Sequence, residues 1–203
     1  MARPRCERCQ RPQRHCLCGL IAPVQSRTRV LILQQPDEAK HALNTARLAH
    51  LGLPNSELRC AEVFPDLAHE LSDPKWHSCV LFPGPNAQPI AEFAALRADK
   101  PLRLVVPDGT WRKARKLLYL NPALAALPQV TLAQPGVSRY RLRKAPMAGA
   151  LSTLEAIVYA LTEVEPQRDF SALLAPFESL IEGQIAAMGQ DVYQRNHGMA
   201  EPD

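Results

Sequence analysis

The sequence predicts an α/β fold, a mostly parallel sheet flanked by helices, on three observations. Short aliphatic runs alternate with longer amphipathic segments along the chain, which is the pattern of a sheet covered by helices. Residues 78–82 and 102–106 are almost continuously apolar, as expected for strands buried on both faces. A chain of 203 residues with 46% hydrophobic residues can bury one substantial core.

The predicted elements follow in order along the chain. Strands are expected at residues 28–34, 59–64, 78–83, 102–106 and 129–133. Helices are expected at residues 38–51, 88–98, 111–119, 152–163 and 170–189. The first helix is expected to stop at Gly52 and the third before Pro122, because glycine and proline commonly end helices. Ser152 and Glu155 have the spacing of a capping box, which starts the fourth helix.

A cluster of four cysteines lies near the N-terminus: Cys6, Cys9, Cys16 and Cys18. The sequence shows neither the apolar core of a secretory signal nor the roughly 18 apolar residues of a membrane span, so we expect a cytoplasmic protein with no membrane partner. Because disulfides seldom persist in the cytosol, four thiolates there predict a closed structural zinc site. We assign the zinc-binding element to residues 1–24 and the main domain to residues 25–203.

Two alternatives to the four-thiolate site stay open. His15 lies between the cysteine pairs and either replaces one thiolate or supports a ligand through a hydrogen bond. Free thiols in an unfolded leader are the second alternative. The other two cysteines, Cys60 and Cys79, fall in apolar stretches and are expected to pack as small hydrophobic side chains.

Charge is distributed unevenly along the chain. Residues 1–150 carry 22 Lys and Arg against 11 Asp and Glu, a net charge of +11, whereas residues 151–203 carry 2 against 9, a net charge of −7. A basic body suggests a surface for nucleic acid, and a merely solvated surface is the alternative. Arginines at positions 3, 5, 8, 11 and 14 surround the cysteine cluster.

The most informative turn joins the strand at 102–106 to the following helix. It contains Asp108, Gly109, Thr110 and Trp111, and the helix then begins with the cations Arg112, Lys113, Arg115 and Lys116. The helix macrodipole disfavours cations at this end, so they predict a polyanion, such as a phosphate-bearing substrate, beside Asp108. The alternative is that Asp108 and Thr110 cap the helix while Trp111 packs in the core.

Two other segments are candidates for ligand binding. In parallel sheets ligands bind beyond the carboxyl ends of strands, which here include the loop at 82–84 as well as the turn at 107–110. Arg139, Arg141 and Arg143 would point the same way on an extended segment and could clamp phosphates or a carboxylate; a solvated strand edge is the alternative. The sequence has no Walker loop and no Gly-x-Gly-x-x-Gly, so it gives no support to an ordinary nucleotide site.

Taken in order, these motifs resemble the DTW-domain family, tRNA-uridine aminocarboxypropyltransferases related to the SPOUT class of knotted RNA modification enzymes. The resemblance covers nearly the whole chain. It rests on the paired cysteines, Asn44-Thr45-x-Arg47-Leu48, Phe82-Pro83-Gly84, Asp108-Gly109-Thr110-Trp111, Ser138-x-Tyr140-Arg141-Leu142-Arg143 and Thr153-x-Glu155. One departure is Gln35-Pro36-Asp37-Glu38, where many relatives have His-Pro-x-Glu, so no role of that histidine is carried over.

The resemblance implies transfer of the 3-amino-3-carboxypropyl group from S-adenosylmethionine to N3 of a tRNA uridine, with release of 5′-methylthioadenosine. It also implies a SPOUT-like domain with a C-terminal trefoil knot. Methyl transfer to RNA from the same donor, and a non-catalytic zinc-stabilised RNA-binding protein, are the alternative functions. The sequence does not distinguish a monomer from a dimer.

Roles for individual residues are expected from the chemistry of this reaction. Asp108 is expected to accept the uridine proton or to position substrate, Thr110 to orient it, and Trp111 to stack on a base or face the sulfonium. The residues expected to bind the donor are Phe82, Gly84, Asp108, Ser152 and Thr153. The residues expected to bind tRNA are Asn44, Thr45, Arg47, Arg112, Lys113, Arg139, Tyr140, Arg141 and Arg143.

Overall fold

A computed structural model describes residues 4–41, 43–96, 99–134, 136, 138–140 and 151–197. Its centre is one six-stranded sheet. The strands are β1 (Arg29–Gln34), β2 (Ser56–Cys60), β3 (His77–Leu81), β4 (Gln88–Pro89), β5 (Leu102–Asp108) and β6 (Gln129–Thr131). Their order across the sheet is β2-β1-β5-β3-β6-β4, and each pairing between neighbours is parallel. The predicted parallel α/β architecture is therefore confirmed.

Nine α-helices lie in the described part of the chain. They are α1 (Pro36–Ala39), α2 (Thr45–Gly52), α3 (Leu67–Leu71), α4 (Ile90–Ala95), α5 (Trp111–Leu120), α6 (Pro122–Ala125), α7 (Thr153–Val164), α8 (Ala175–Met188) and α9 (Gln190–His197). Short 3-10 turns occupy Gln13–His15, Cys18–Leu20 and Ser171–Leu174. The helices predicted at 111–119 and 152–163 are present with small shifts of their ends. The one predicted at 170–189 begins as the 3-10 turn at Ser171–Leu174 and continues as α8.

Three of the predicted segments differ from the structure. Gln88 and Pro89, predicted as the start of a helix at 88–98, form strand β4 beside β6, and α4 begins at Ile90. The strand predicted at 59–64 is found at Ser56–Cys60, because Ser56 and Glu57 pair in register with Val30 and Leu31 of β1. The helix predicted at 38–51 is two helices, since Asn44 has extended backbone angles and caps α2. Its Oδ1 accepts a hydrogen bond from the backbone N–H of Arg47 at 3.0 Å. The prediction that Asn44 lies within a helix is therefore wrong.

The sheet separates two apolar layers. Alternate residues of β1 face opposite sides, so Val30 and Ile32 pack in one cluster with α2, α4, α7 and α8. Leu31 and Leu33 pack in the other cluster with α3, α5 and α6. This alternation follows from the two-residue period of a strand. These seven helices cover the two faces of the sheet and leave open its carboxyl edge, where the candidate site lies.

The cysteine element is anchored to the larger apolar cluster. Leu17 and Ile21 are 7% and 8% exposed and belong to the same cluster as the side chains of α2 and α8. Apolar contact of this kind holds the four-cysteine segment against the sheet domain. The boundary between residues 1–24 and 25–203 stays a prediction.

The path of the chain before α7 is not covered by the described residues. Residues 141–150, which contain Arg141 and Arg143, lie outside them, so the trefoil knot stays a prediction. Within the described ranges, no helix combines the length and the apolar character that crossing a bilayer requires.

Candidate active site

Asp108 is the last residue of β5 and lies at the carboxyl edge of the sheet. Its Oδ2 accepts a hydrogen bond of 2.7 Å from Nε2 of Gln34, the last residue of β1 and its partner in register. Its Oδ1 accepts a hydrogen bond from the hydroxyl of Thr153, the first residue of α7. Two strands and a helix N-terminus therefore hold one carboxylate in a fixed orientation.

Burial makes this carboxylate a stronger base than an ordinary aspartate. Asp108 is 8% exposed, and desolvation raises its pKa, because the charged form loses its water. Hydrogen bonds from Thr153 and Gln34 act in the opposite direction, and the negative charge of Glu38 adds to the rise. A buried carboxyl group with a raised pKa at the carboxyl edge of a parallel sheet is a candidate for general acid–base chemistry.

Gln34 and Gln35 extend the hydrogen-bond network around Asp108. Nε2 of Gln34 also donates to Oδ1 of Asn44 at 3.0 Å, and the backbone N–H of Gln35 donates to the Asp108 carbonyl at 3.1 Å. Gln35 is 2% exposed, and its Nε2 is buried without a hydrogen-bond partner among the described residues. Because an unpaired buried donor costs free energy, this amide is suited to bind an acceptor atom of a ligand.

Sequence reasoning missed both glutamines as site residues. The available signal was a pair of polar residues, Gln34 and Gln35, directly after the apolar run at residues 30–33. All four residues of that run are fully buried. Asp108, the partner of the glutamines, lies 74 positions from Gln34. Only the register between β1 and β5 brings them together.

Thr110 and Trp111 begin α5 beside this network. Thr110 is the N-cap, and its Oγ1 accepts from the backbone N–H of Lys113 at 3.4 Å. The described side-chain hydrogen bonds of Asp108 come instead from Thr153 and Gln34. Trp111 is 37% exposed, and its ring makes an edge contact with Phe82, with the centroids 5.8 Å apart. The interpretation of Thr110 as a helix cap is confirmed. Trp111 packs its ring against Phe82 and exposes part of its side chain to solvent.

The two glycines of the predicted ligand loops are explained by close packing. A Cβ on Gly84 would lie 2.0 Å from Oε1 of Gln129, and a Cβ on Gly109 would lie 2.9 Å from Cβ of Lys113. Either distance requires the neighbour to move. The packing of Gln129 and Lys113 therefore accounts for these glycines without a ligand.

Internal carboxylates neutralise two of the four cations at the start of α5. Lys113 Nζ lies 2.9 Å from Glu38 and 3.4 Å from Asp37, and Lys116 pairs with Glu62 at 2.7 Å. The prediction that an external polyanion balances the charge of all four cations is therefore wrong for Lys113 and Lys116. Arg112 and Arg115 are exposed and make no ion pair with any residue that the structure describes.

A buried glutamate holds residues 138–140 against the start of α7. Glu155 is fully buried and forms the predicted capping box with Ser152, whose backbone N–H donates to it at 2.8 Å. The same carboxylate accepts from the Ser138 hydroxyl at 3.1 Å and from the Arg139 backbone N–H at 2.5 Å. Glu155 therefore holds residues 138–140, the start of the cationic segment that contains Arg139, against α7, the helix that carries Thr153.

The side chains of that segment are already engaged where they are described. The guanidinium of Arg139 pairs with Glu178 of α8, and the ring of Tyr140 makes an edge contact with Phe177, with the centroids 5.5 Å apart. Both contacts fasten residues 138–140 to α8.

The four clustered cysteines have the geometry of a metal site. Their Sγ atoms all lie within 4.8 Å of one another, with Cys6 and Cys18 3.6 Å apart and Cys9 and Cys16 3.8 Å apart. A tetrahedron with Zn–S bonds of about 2.3 Å has S···S edges of about 3.8 Å, whereas a disulfide needs about 2.05 Å. The donor set therefore fits a tetrahedral zinc ion. His15 is exposed and is not one of the four clustered ligands.

Proton affinities within the cluster differ strongly. Hydrogen bonds from the backbone of Cys9 and Arg8 lower the pKa of Cys6 to about 6, whereas burial and the neighbouring sulfurs raise the pKa of Cys18 to about 12. Four adjacent thiolates repel one another, so a bound cation is needed to keep all of them deprotonated. Outside the cluster, Cys79 is buried as predicted, but Cys60 is exposed at the end of β2, so the packing prediction for it is wrong.

The chain is similar in sequence to known proteins over most of its length. The chain matches the DTW domain over residues 3–185. It is 32% identical over 194 residues to tRNA-uridine aminocarboxypropyltransferase 2 of Drosophila melanogaster, covering 90% of this chain and 76% of the relative. It is 31% identical over 205 residues to the protein of the same name from Macaca fascicularis, covering 96% and 68%. The Arabidopsis thaliana tRNA-uridine aminocarboxypropyltransferase A is 29% identical over 191 residues, covering 79% and 72%.

No solved structure shows a significant match to the chain. The family assignment therefore stands on sequence. The match spans the cysteine cluster, both segments that hold Asp108 and most of α8. The chain belongs to the DTW domain family.

Proposed function

We propose that this protein transfers the 3-amino-3-carboxypropyl group from S-adenosylmethionine to N3 of a uridine in tRNA, with release of 5′-methylthioadenosine. The names of its relatives support the reaction class. The observation that carries the proposal is the buried carboxylate of Asp108, held by Gln34 and Thr153 at the carboxyl edge of the sheet. In parallel α/β sheets this edge is where ligands bind.

Asp108 serves as the proton acceptor in this proposal. The uridine N3–H must lose its proton as N3 forms a bond to the carbon next to the sulfonium, and the breaking C–S bond returns its electron pair to sulfur. A carboxylate with a raised pKa accepts that proton more readily than an ordinary aspartate. Gln34 and Thr153 keep its two oxygens oriented, and each oxygen retains a lone pair for the incoming proton.

S-adenosylmethionine supplies an electrophilic carbon, and the orientation of the bound donor decides which group is transferred. We assign its binding to the loop after β3, with Phe82 and Gly84, and to the start of α7, with Ser152 and Thr153. The unpaired Nε2 of Gln35 adds a donor that a ligand oxygen can satisfy. The half-exposed face of Trp111 is available for stacking on a base or for contact with the sulfonium. A SPOUT-like domain with a C-terminal trefoil knot is part of the same proposal.

The remaining roles concern RNA and metal. We propose that tRNA is contacted by side chains at the start of α2, on α5 and in the segment at 138–143: Asn44, Thr45, Arg47, Arg112, Arg139, Tyr140, Arg141 and Arg143. Zinc bound by Cys6, Cys9, Cys16 and Cys18 is proposed to fix the N-terminal element, and the protein is proposed to act in the cytoplasm. Cationic side chains supply sequence-independent affinity for the backbone, which leaves the choice of the uridine to other contacts.

Product analysis tests the proposed reaction. Purified protein, unmodified tRNA and S-adenosylmethionine should yield 5′-methylthioadenosine and a uridine heavier by the aminocarboxypropyl group. S-adenosylhomocysteine would indicate methyl transfer instead, and tRNA binding without either product would indicate a non-catalytic RNA-binding protein. Both of these results would overturn the proposal.

A further inference from the structure

A cationic cleft lies between the cysteine element and the start of α2. Its volume is about 400 Å³, and α8 forms part of its wall through Leu180 and Gly183. Five cationic side chains line it, and the described lining contains no Asp or Glu: Arg5, Arg11, Arg14, Lys40 and Arg47. Two histidines, His15 and His41, add to the same lining. Such a concentration of one charge needs an explanation, because like charges raise the free energy of the folded state.

The cations are arranged in two levels. Arg11 and Arg47 are half-buried, whereas Arg5, Arg14 and Lys40 are exposed. The Nε of Arg47 is buried without a hydrogen-bond partner among the described residues. A buried guanidinium donor left unpaired is costly, and an anion that enters the cleft would satisfy it through a charge-assisted hydrogen bond.

The cleft is connected to the candidate active site. Asn44 lines the cleft, and its Oδ1 accepts from Gln34 at 3.0 Å. Gln34 in turn donates to Asp108 at 2.7 Å. Two hydrogen bonds therefore connect the wall of the cleft, at Asn44, to Asp108, the proposed proton acceptor.

We infer that this cleft binds phosphodiester groups of the tRNA backbone and places a nucleotide near Asp108. The inference rests on the proposed function, which supplies RNA as the substrate. Several cations from both sides of the cleft, at two depths, suit a chain of phosphates better than a single small anion. The cysteine element and α2 each provide part of the surface, so the fold of the metal-binding segment shapes the RNA site.

The salt dependence of tRNA binding tests the cleft directly. The variants Arg14→Gln and Lys40→Gln each remove one exposed charge from the rim, and neither residue belongs to the proposed catalytic machinery. Lys75→Gln is the matched control, because Lys75 is exposed and precedes the amino end of β3, at the opposite edge of the sheet. Binding of an unmodified tRNA transcript is measured across a range of KCl concentrations.

Each cleft variant should weaken binding several-fold near physiological salt. It should also reduce the slope of log K against log[KCl] by about 0.7 to 0.9, the value expected for one lost phosphate contact. Lys75→Gln should leave both quantities at the wild-type value. Wild-type affinity and slope in both cleft variants would overturn the inference. Stabilisation of the wild type by inorganic phosphate at constant ionic strength, with tRNA binding unchanged in the variants, would indicate a free-anion site and would also overturn it.

Release of 5′-methylthioadenosine separates this inference from the proposed function. At saturating tRNA the cleft variants should keep the wild-type rate, with a raised KM for tRNA, because the chemistry at Asp108 is untouched. If the wild type releases no product but the salt slopes change as expected, the proposed reaction fails and the cleft stands. If product forms but the slopes do not change, the cleft fails and the reaction stands.

Discussion

The hydroxyl of Thr153 donates a hydrogen bond to Oδ1 of Asp108 and so connects the first residue of α7 to the last residue of β5. The two residues are 45 positions apart in the sequence. With Gln34 bound to the other oxygen, the carboxylate cannot turn without breaking one of these bonds. Thr153 is therefore a positioning residue for Asp108 in the proposed mechanism.

Replacing Thr153 by valine tests this positioning role. Thr153→Val keeps the side-chain shape but removes the donor, so the rate of 5′-methylthioadenosine release should fall about 10- to 100-fold, the effect of losing a hydrogen bond to a charged group. The KM for tRNA should change little. Thr153→Ser restores the hydroxyl and should recover most of the rate. Equal rates in the valine and serine variants would contradict the role.

The pH dependence of stability reports the buried charge of Asp108. Its folded pKa lies above the ordinary value of 3.8 because of burial, so the folded state holds this proton more tightly than the unfolded state does. The stability contributed by this residue is then present below pH 3.8 and is lost as the pH rises through the folded pKa. Asp108→Asn has no such charge. The melting temperature of Asp108→Asn minus that of the wild type should therefore increase as the pH rises through the folded pKa of Asp108.

Thermal unfolding of both proteins between pH 3 and pH 8 measures this difference. A wild type that gains stability relative to Asp108→Asn as the pH rises would mean that the hydrogen bonds from Thr153 and Gln34 outweigh desolvation. Asp108 would then have a lowered pKa and would be a poorer proton acceptor than proposed.

Glu155 should be important for stability as well as for the site. Glu155→Gln replaces a fully buried carboxylate that accepts from Ser138, Arg139 and Ser152, so we expect a loss of about 1 to 3 kcal/mol in the free energy of unfolding. Glu178→Gln is the control, because its ion pair with Arg139 is about half exposed and should contribute less than about 1 kcal/mol. Urea denaturation measures both, and equal losses would contradict the assignment.

Metal content tests the four-cysteine site. Protein purified without chelator should contain one zinc ion per chain by mass spectrometry, and Cys18→Ser should lose it, because three thiolates no longer close the tetrahedron. Its melting temperature should fall with it, since binding of a structural metal contributes to folding. Cys60→Ser is the control, since Cys60 lies outside the cluster and is exposed. Full zinc content in Cys18→Ser would contradict the site.

Local signals predicted part of this structure. Ser152 was recognised as a helix start because the two residues of its capping box lie three positions apart. The cap at Thr110 was one of two interpretations of its turn. The buried strands β3 and β5 were recognised from continuous apolar runs. The break before α2 was missed, since Asn44 caps the helix in the middle of a pattern whose periodicity looks helical on both sides.

The arrangement around Asp108 required information that no local pattern contains. Gln34 reaches Asp108 only because β5 lies beside β1 in the sheet. The pairing of Lys113 with Glu38 across 75 positions is equally non-local, and it changed the interpretation of the cations on α5. The Asp108 turn was found from the sequence, whereas its orienting partner Gln34 was not.

The measurement that tests the central claim most directly is the product released from S-adenosylmethionine by the wild type and by Asp108→Asn with the same unmodified tRNA. The account predicts 5′-methylthioadenosine from the wild type, a rate at least about 100-fold lower in the variant, and similar tRNA affinity in both. Wild-type turnover in Asp108→Asn would remove this carboxylate from the mechanism and contradict the account.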